Sequence, residues 1–216
     1  MKLTSKLLIW VLALVAAGGL AVVGVLFVMS PAPRTHTSGA AIVGKAIRIG
    51  PPAIGGPFTL VSTNGESVTD QSFHGKWVLI FFGYTSCPDL CPTALTNVSV
   101  ALEKFGSDAG RIQPLFITVD PQRDTRDVMA NYLKSFDARI LGLTGTQAQI
   151  DGVTREYRVY VALDKSERGG DDYLVSHSAY LYLMDPSGKF ASVIQGNEDG
   201  DAIVAWLREK MARSIW

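Results

Sequence analysis

The sequence predicts an α/β domain, a central mixed sheet flanked by helices, carried behind an N-terminal transmembrane helix. Three observations predict it. From Phe58 to Tyr157, apolar runs of strand length alternate with amphipathic segments of helix length. Two further apolar runs then flank the turn sequence Asp185-Pro186-Ser187-Gly188, which makes them a hairpin ahead of a closing helix. Finally, Leu7 to Met29 is an unbroken apolar run of 23 residues, where roughly 20 suffice to span a bilayer as a helix.

Each element has its own justification. A cleaved secretory signal is the alternative for the N-terminal run, and Ser38-Gly39-Ala40 would suit cleavage. Such signals have an apolar stretch of only about 7–15 residues, so an uncleaved anchor is expected. Lys2 and Lys6 precede the run closely, which favours an N-terminus inside and the bulk of the chain outside. Ser30 to Pro52 reads as a linker, with Pro31, Pro33, Pro51 and Pro52 and a short strand at most over Ala41 to Ile49. The domain organisation is therefore 1–30 anchor, 31–52 linker and 53–216 folded domain.

Within the domain, Phe58 to Ser62 and Ser67 to Thr69 form strands joined by Asn64-Gly65. Trp77 to Gly83 is continuously apolar and reads as a central buried strand. Pro92 suits the first turn of a helix that Ala94 to Phe105 continues. Leu115 to Val119 is a second buried strand, and Arg126 to Phe136 a helix with Val128, Met129, Tyr132, Leu133 and Phe136 on its apolar side. Leu141 to Leu143 is a strand and Gln147 to Tyr157 a helix. Val159 to Leu163, Ser178 to Met184 and Phe190 to Ile194 are strands, with Lys165 to Asp172 an exposed loop. Asp199 to Met211 closes the fold, Ile203, Trp206 and Leu207 facing inward. Lys and Arg number 20, as do Asp and Glu, and the basic residues are scattered. No nucleic-acid partner is expected.

The chemistry concentrates in Phe81-Phe82-Gly83-Tyr84-Thr85-Ser86-Cys87-Pro88-Asp89-Leu90-Cys91-Pro92, which holds both cysteines of the chain. On a helix, residues four apart have Cβ atoms about 5–6 Å apart. That spacing permits either a disulfide or shared chelation of one soft ion. A helix N-terminus lowers thiol pKa and so favours the thiolate both roles need. Two thiolates suit Cu(I), whereas Cu(II) asks for added nitrogen ligands. A closed zinc site needs four ligands, and two Cys with three His argue against one. His177, at the start of an apolar strand, is the best third ligand; its alternative role is a half-buried histidine bonded to backbone. His36 falls in the linker and His74 in a surface turn. Asp120 ends the second buried strand, and parallel strands present their C-terminal ends to one rim. It either approaches the cysteine loop or serves as a turn residue beside Asp124, the expected cap of the next helix.

Three motifs in order resemble the Sco/SenC family: Phe-Phe-Gly-Tyr-Thr-x-Cys-Pro with its Cys-x-x-x-Cys-Pro, then Asp-Pro-x-Arg-Asp-Thr, then the late His-Ser before Met184-Asp185-Pro186. The similarity runs from about Gly55 to Trp206. It implies a thioredoxin-like fold tethered to an energy-coupling membrane. The expected location is an inner membrane, with a single pass and the domain facing the periplasm, or the intermembrane space in a mitochondrion. It implies copper held by two Cys and one His, which match Cys87, Cys91 and His177, and links Asp120 to copper transfer and partner engagement. The implied partner is subunit II of cytochrome c oxidase, with another copper chaperone as donor. Members often carry Asp just before the metal histidine, whereas this chain has Ser176, which leaves open what supports the His177 ring.

Three functions compete. The first is a copper metallochaperone. The second is a thiol–disulfide oxidoreductase acting on the client's cysteines, for which the spacing is one residue longer than Cys-x-x-Cys. The third is a peroxidase or redox sensor, which would need a low-pKa exposed cysteine.

Overall fold

The computed structural model describes residues 54–164 and 173–213. The expected anchor, the linker with its short strand, His36 and the loop Lys165 to Asp172 lie outside the described residues. Among the described residues no helix is long and apolar enough to cross a membrane.

Among the described residues nine strands and four α-helices follow one another: β1 (Thr59–Ser62), β2 (Ser67–Thr69), β3 (Trp77–Gly83), α1 (Leu90–Phe105), β4 (Ile112–Thr118), α2 (Arg126–Leu133), β5 (Leu141–Thr144), α3 (Gln147–Glu156), β6 (Val161–Asp164), β7 (Leu174–His177), β8 (Tyr180–Met184), β9 (Phe190–Gln195) and α4 (Gly200–Arg213). Seven strands make one mixed sheet in the order β2-β1-β5-β4-β3-β8-β9, and β6 with β7 makes a separate two-stranded sheet. At its centre β3 runs parallel to β4, from Trp77 opposite Ile112 to Gly83 opposite Thr118. On its other side β3 pairs antiparallel with β8.

Every residue of β3 is buried, as expected of a strand covered on both faces. Phe81 and Phe116 stack on one face, where Tyr132 of α2 packs on Phe116. Phe82 lies on the other face, against Tyr157 and Tyr182. The β1–β2 turn requires a left-handed residue, and Gly65 supplies it at φ 88°. The β8–β9 turn is closed by Asp185, whose Oδ1 accepts from the Ser187 and Lys189 N–H groups at 2.8 and 3.0 Å.

Four differences from the sequence expectation have physical causes. The helix α2 stops at Leu133 rather than Phe136, because the N–H groups of Lys134, Ser135 and Phe136 turn to carbonyls three residues back. Val128 is an exposed position, not part of the apolar side. The runs expected as strands Val159–Leu163 and Ser178–Met184 contribute to different sheets. Leu174–His177 is a strand of its own, so His177 ends a strand instead of starting one; Ser178 N–H then bonds the Tyr160 carbonyl at 3.0 Å and the chain crosses to the main sheet. Asp70–Phe73 and Gly106–Arg111 form 3₁₀ turns with no counterpart in the sequence reading.

Phe82 is fully buried between two tyrosines on the face away from the cysteines. Replacing it by Ala is expected to lower unfolding free energy by about 3–5 kcal/mol, read from the urea midpoint. A loss under about 1 kcal/mol would mean that this face contributes little to the core.

Candidate metal centre

The site is assembled where β3 and β4 end side by side. Beyond Gly83 the chain loops through Cys87 into α1, whose first three residues are Leu90, Cys91 and Pro92. N–H groups in a first helical turn have no intrahelical acceptor, so Pro92 sacrifices nothing there. Asp89 at the N-cap makes no side-chain cap bond. Instead the Cys91 N–H donates to the Cys87 sulfur at 3.4 Å, so a helix N-terminus is aimed at that thiol.

Cys91 is fully buried and Cys87 partly so; both are free thiols. Glycine at position 83 makes room for the Cys91 sulfur, since a Cβ there would lie 2.8 Å from Cys91 Sγ and 2.8 Å from the Phe116 ring. His177 reaches the same place from the end of β7. Its Nε2 lies 3.6 Å from Cys91 Sγ, and its Nδ1 lies 3.1 Å from the Ser178 carbonyl. That carbonyl can only accept, so Nδ1 donates to it and Nε2 faces the sulfurs. The ring stands edge-on to Phe81 and Tyr84, at interplanar angles of 74° and 86°. Ser176 is exposed; the support for the ring comes from the backbone one residue after it.

The donor atoms of Cys87, Cys91 and His177 all lie within 4.8 Å of one another. One ion bonded to sulfur and nitrogen at about 2.0–2.3 Å holds any two donors within about 4.6 Å, so the cluster is close to ligating geometry. His74 is exposed on the turn before β3, away from this group. A cleft of about 390 Å³ opens onto the cluster, lined among others by Tyr84, Cys87, Leu90 and Val175. A larger cleft of about 570 Å³, lined by Gln113, Lys134 and Arg139, shares no residue with it.

The two thiols are driven apart in acidity. A hydrogen bond from the Cys91 thiol pulls Cys87 far below the usual thiol range, with His177 and the backbone N–H groups of Asp89 and Cys91 adding to it against partial burial. The same contact with Cys87 and deep burial push Cys91 up. The resting pair is therefore one thiolate, Cys87, and one thiol, Cys91. Burial, followed by the nearby cysteines, raises the Tyr132 phenol, whose buried hydroxyl has no hydrogen-bond partner among the described residues.

Asp120 is buried at 3% exposure. One oxygen accepts from the Tyr173 hydroxyl at 2.8 Å and the other pairs with Arg123; it stands outside the three-residue cluster. Asp124 does not cap the next helix, because Thr125 does, accepting from the Val128 N–H at 3.3 Å. The fully buried Asp124 carboxylate instead accepts from the Thr85 N–H at 3.0 Å, from the Thr85 hydroxyl and from the Thr118 hydroxyl at 2.7 Å. It ties the cysteine loop to the end of β4. Burial raises its pKa, and those hydrogen bonds oppose the rise. Sequence reasoning missed this tie, although Asp-Pro-x-Arg-Asp-Thr was the signal that could have pointed to it.

Two outcomes test this description. Iodoacetamide at pH 6 should label Cys87 in the native chain and leave Cys91 unmodified until denaturant is added, as read by peptide mass mapping. The Cys87 rate should fall only as pH drops through its lowered pKa, well below the ordinary thiol range; equal labelling of both cysteines would contradict the assignment. Asp124→Ala leaves the Thr85 and Thr118 donors without their acceptor, and should destabilise the domain by roughly 3 kcal/mol in urea unfolding.

The SCO1/SenC family description matches residues 48–212. "Protein SCO1 homolog, mitochondrial" of Mus musculus is 42% identical over 171 residues, covering 76% of this chain and 60% of its own length. "Protein sco1" of Schizosaccharomyces pombe is 44% identical over 155 residues, covering 71% of this chain and 59% of its own length. The chain thus spans about 60% of the length of these curated relatives. Among solved structures, Bradyrhizobium japonicum ScoI with copper bound superposes at TM-score 0.68 with 46% identity, over 73% of this chain and 99% of that one. Yeast Sco1 with copper bound superposes at TM-score 0.70 with 40% identity, over 76% of this chain and 91% of that one. The fold is thioredoxin-like, as the resemblance implied. With the cysteine loop, the Asp-Pro-x-Arg-Asp-Thr turn and His177 all inside the matched residues, the chain belongs to the SCO1/SenC family.

Proposed function

We propose that this chain is a membrane-tethered copper metallochaperone that assists assembly of the binuclear copper site in subunit II of cytochrome c oxidase. Cys87, Cys91 and His177 hold the ion, and Asp120 contributes to its transfer. The observation that carries the reading is the convergence of three soft and borderline donors from two separate segments, within 4.8 Å. The donor set suits capture: a thiolate at Cys87, the His177 Nε2 turned toward the sulfurs, and a Cys91 thiol that gives up its proton on binding. That relatives at 46% and 40% identity hold copper supports the choice of metal. In this reading Leu7 to Met29 is the single span of an inner membrane, and the domain faces the periplasm, or the intermembrane space in a mitochondrion. Another copper chaperone supplies the ion.

The ionisation split favours a second activity at the same sulfurs. The Cys87 thiolate attacks a client disulfide, forming a mixed disulfide and releasing one client thiolate. Cys91, losing its proton, then attacks the Cys87 sulfur, closing Cys87–Cys91 and releasing the second client thiolate. Two electrons pass to the client.

Copper analysis of the full chain under anaerobic, reducing conditions decides between these readings. The expected result is one Cu(I) per chain, abolished in Cys87→Ser and weakened more than tenfold in His177→Ala, at least the effect of removing a ligand's support. Unchanged copper content in Cys87→Ser would sink the chaperone reading. No binding in the wild type, together with ready exchange against a client disulfide, would leave the reductase.

A further inference from the structure

Two of the three proposed ligands sit on the loop that leaves β3 of the seven-stranded sheet and on helix α1. The third sits on β7, in the separate two-stranded sheet. A set of contacts around Arg123 joins these bodies. Its Nη1 donates to the Tyr173 carbonyl at 2.9 Å, and its guanidinium lies 3.7 Å from the centroid of the Tyr173 ring. The same group lies 5.6 Å from the Tyr84 ring centroid. Its Nε pairs with Asp120, whose other oxygen takes the Tyr173 hydroxyl. One step along β7, the Val175 N–H donates to the Tyr84 hydroxyl at 3.3 Å. Tyr173, Val175 and His177 therefore follow one another on a single short arm, held at its base from the β4 rim.

The Asp120 side chain is 2% exposed and that of Arg123 20%, so this ion pair is largely out of water. Removing one partner of such a pair leaves a buried charge uncompensated, unlike loss of a surface pair. A planar guanidinium can stack, pair and reach a carbonyl at once; an ammonium cannot. We propose that Arg123, held by Asp120, is a positioning residue that clasps the β7 arm and thereby sets how long His177 stays on a bound copper ion. The inference rests on the ligand set proposed above. It also gives the buried Asp120 a way to influence copper transfer without touching either metal or partner.

The test uses the full chain and two readouts: amide exchange at Val175 in the metal-free protein, and Cu(I) release to excess bathocuproine disulfonate. Arg123→Gln should keep one-to-one copper binding while speeding Val175 exchange and copper release about tenfold each, the scale of losing one contact that holds a locally opening unit. Arg123→Lys should not restore the wild-type rates. In a His177→Ala background Arg123→Gln should add nothing to release, because the two act through one ligand. Tyr173→Phe removes only the phenol's bond to Asp120 and should give a smaller acceleration in both readouts, which keeps the test open if Arg123→Gln fails to fold. Unchanged Val175 exchange in both variants would overturn the clasp. Faster exchange without faster release, or additive effects of Arg123→Gln and His177→Ala, would overturn its link to copper. If the wild type bound no copper, the ligand assignment would fall while Val175 exchange still judged the clasp.

Discussion

The parallel pairing of β3 with β4 is the constraint on which the rest depends. Because the two strands run in step from Trp77 and Ile112 to Gly83 and Thr118, they end at the same rim. The loops leaving them, one with the cysteines and one with the acidic turn, are delivered to the same place. An antiparallel pairing would have sent them to opposite ends of the sheet. Strands covered on both faces must be apolar throughout, and that apolarity fixes the pair at the centre of the sheet. The chemistry is thus placed by the buried centre of the sheet, and its loops need only short ties.

Those ties are buried polar groups with their partners supplied. Asp124 holds the cysteine loop through Thr85 and reaches β4 through Thr118. Thr144 on β5 adds a bond to the Asp124 carbonyl at 3.0 Å. Burying a carboxylate is unfavourable unless its hydrogen bonds are made, and here several converge on it. The result is a tied segment in which the helical Cys91 thiol is at 0% exposure while Cys87 in the loop stays partly open. The asymmetry in acidity follows from the hydrogen bond between the two sulfurs, with the deeper burial of Cys91 adding to it.

The sequence made the central strands and the first helix legible because their signals are local. Trp77–Gly83 and Ser67–Thr69 were bounded to the residue, since a long apolar run and an Asn-Gly turn each carry their own meaning. The cysteines declared themselves by spacing, and His177 by position and family resemblance. What stayed hidden was long-range. β7 has four residues and a mixed pattern of burial, which no periodicity distinguishes from the strand that follows. The Ser178 carbonyl as the ring's support could not be seen, because any backbone carbonyl can play that part. Asp124 read as a helix cap and Arg123 carried no signal of its own, because their partners, Thr85 and Tyr173, lie 39 and 50 positions away.

One consequence of the split between a Cys87 thiolate and a Cys91 thiol concerns charge. The resting sulfur pair carries −1: one thiolate and one neutral thiol. In the chaperone reading, taking up Cu⁺ with loss of the Cys91 proton gives two thiolates and one cation, −2 + 1 = −1, so the net charge does not change. The ion is swapped for a proton at constant field, and the buried Asp124, Asp120 and Arg123 around it need not readjust. Cu²⁺ on the same ligands would bring the cluster to 0, a unit change beside carboxylates held in a low-dielectric setting. In that reading the sulfur pair is electrically matched to the monovalent ion before any ligand bond is formed.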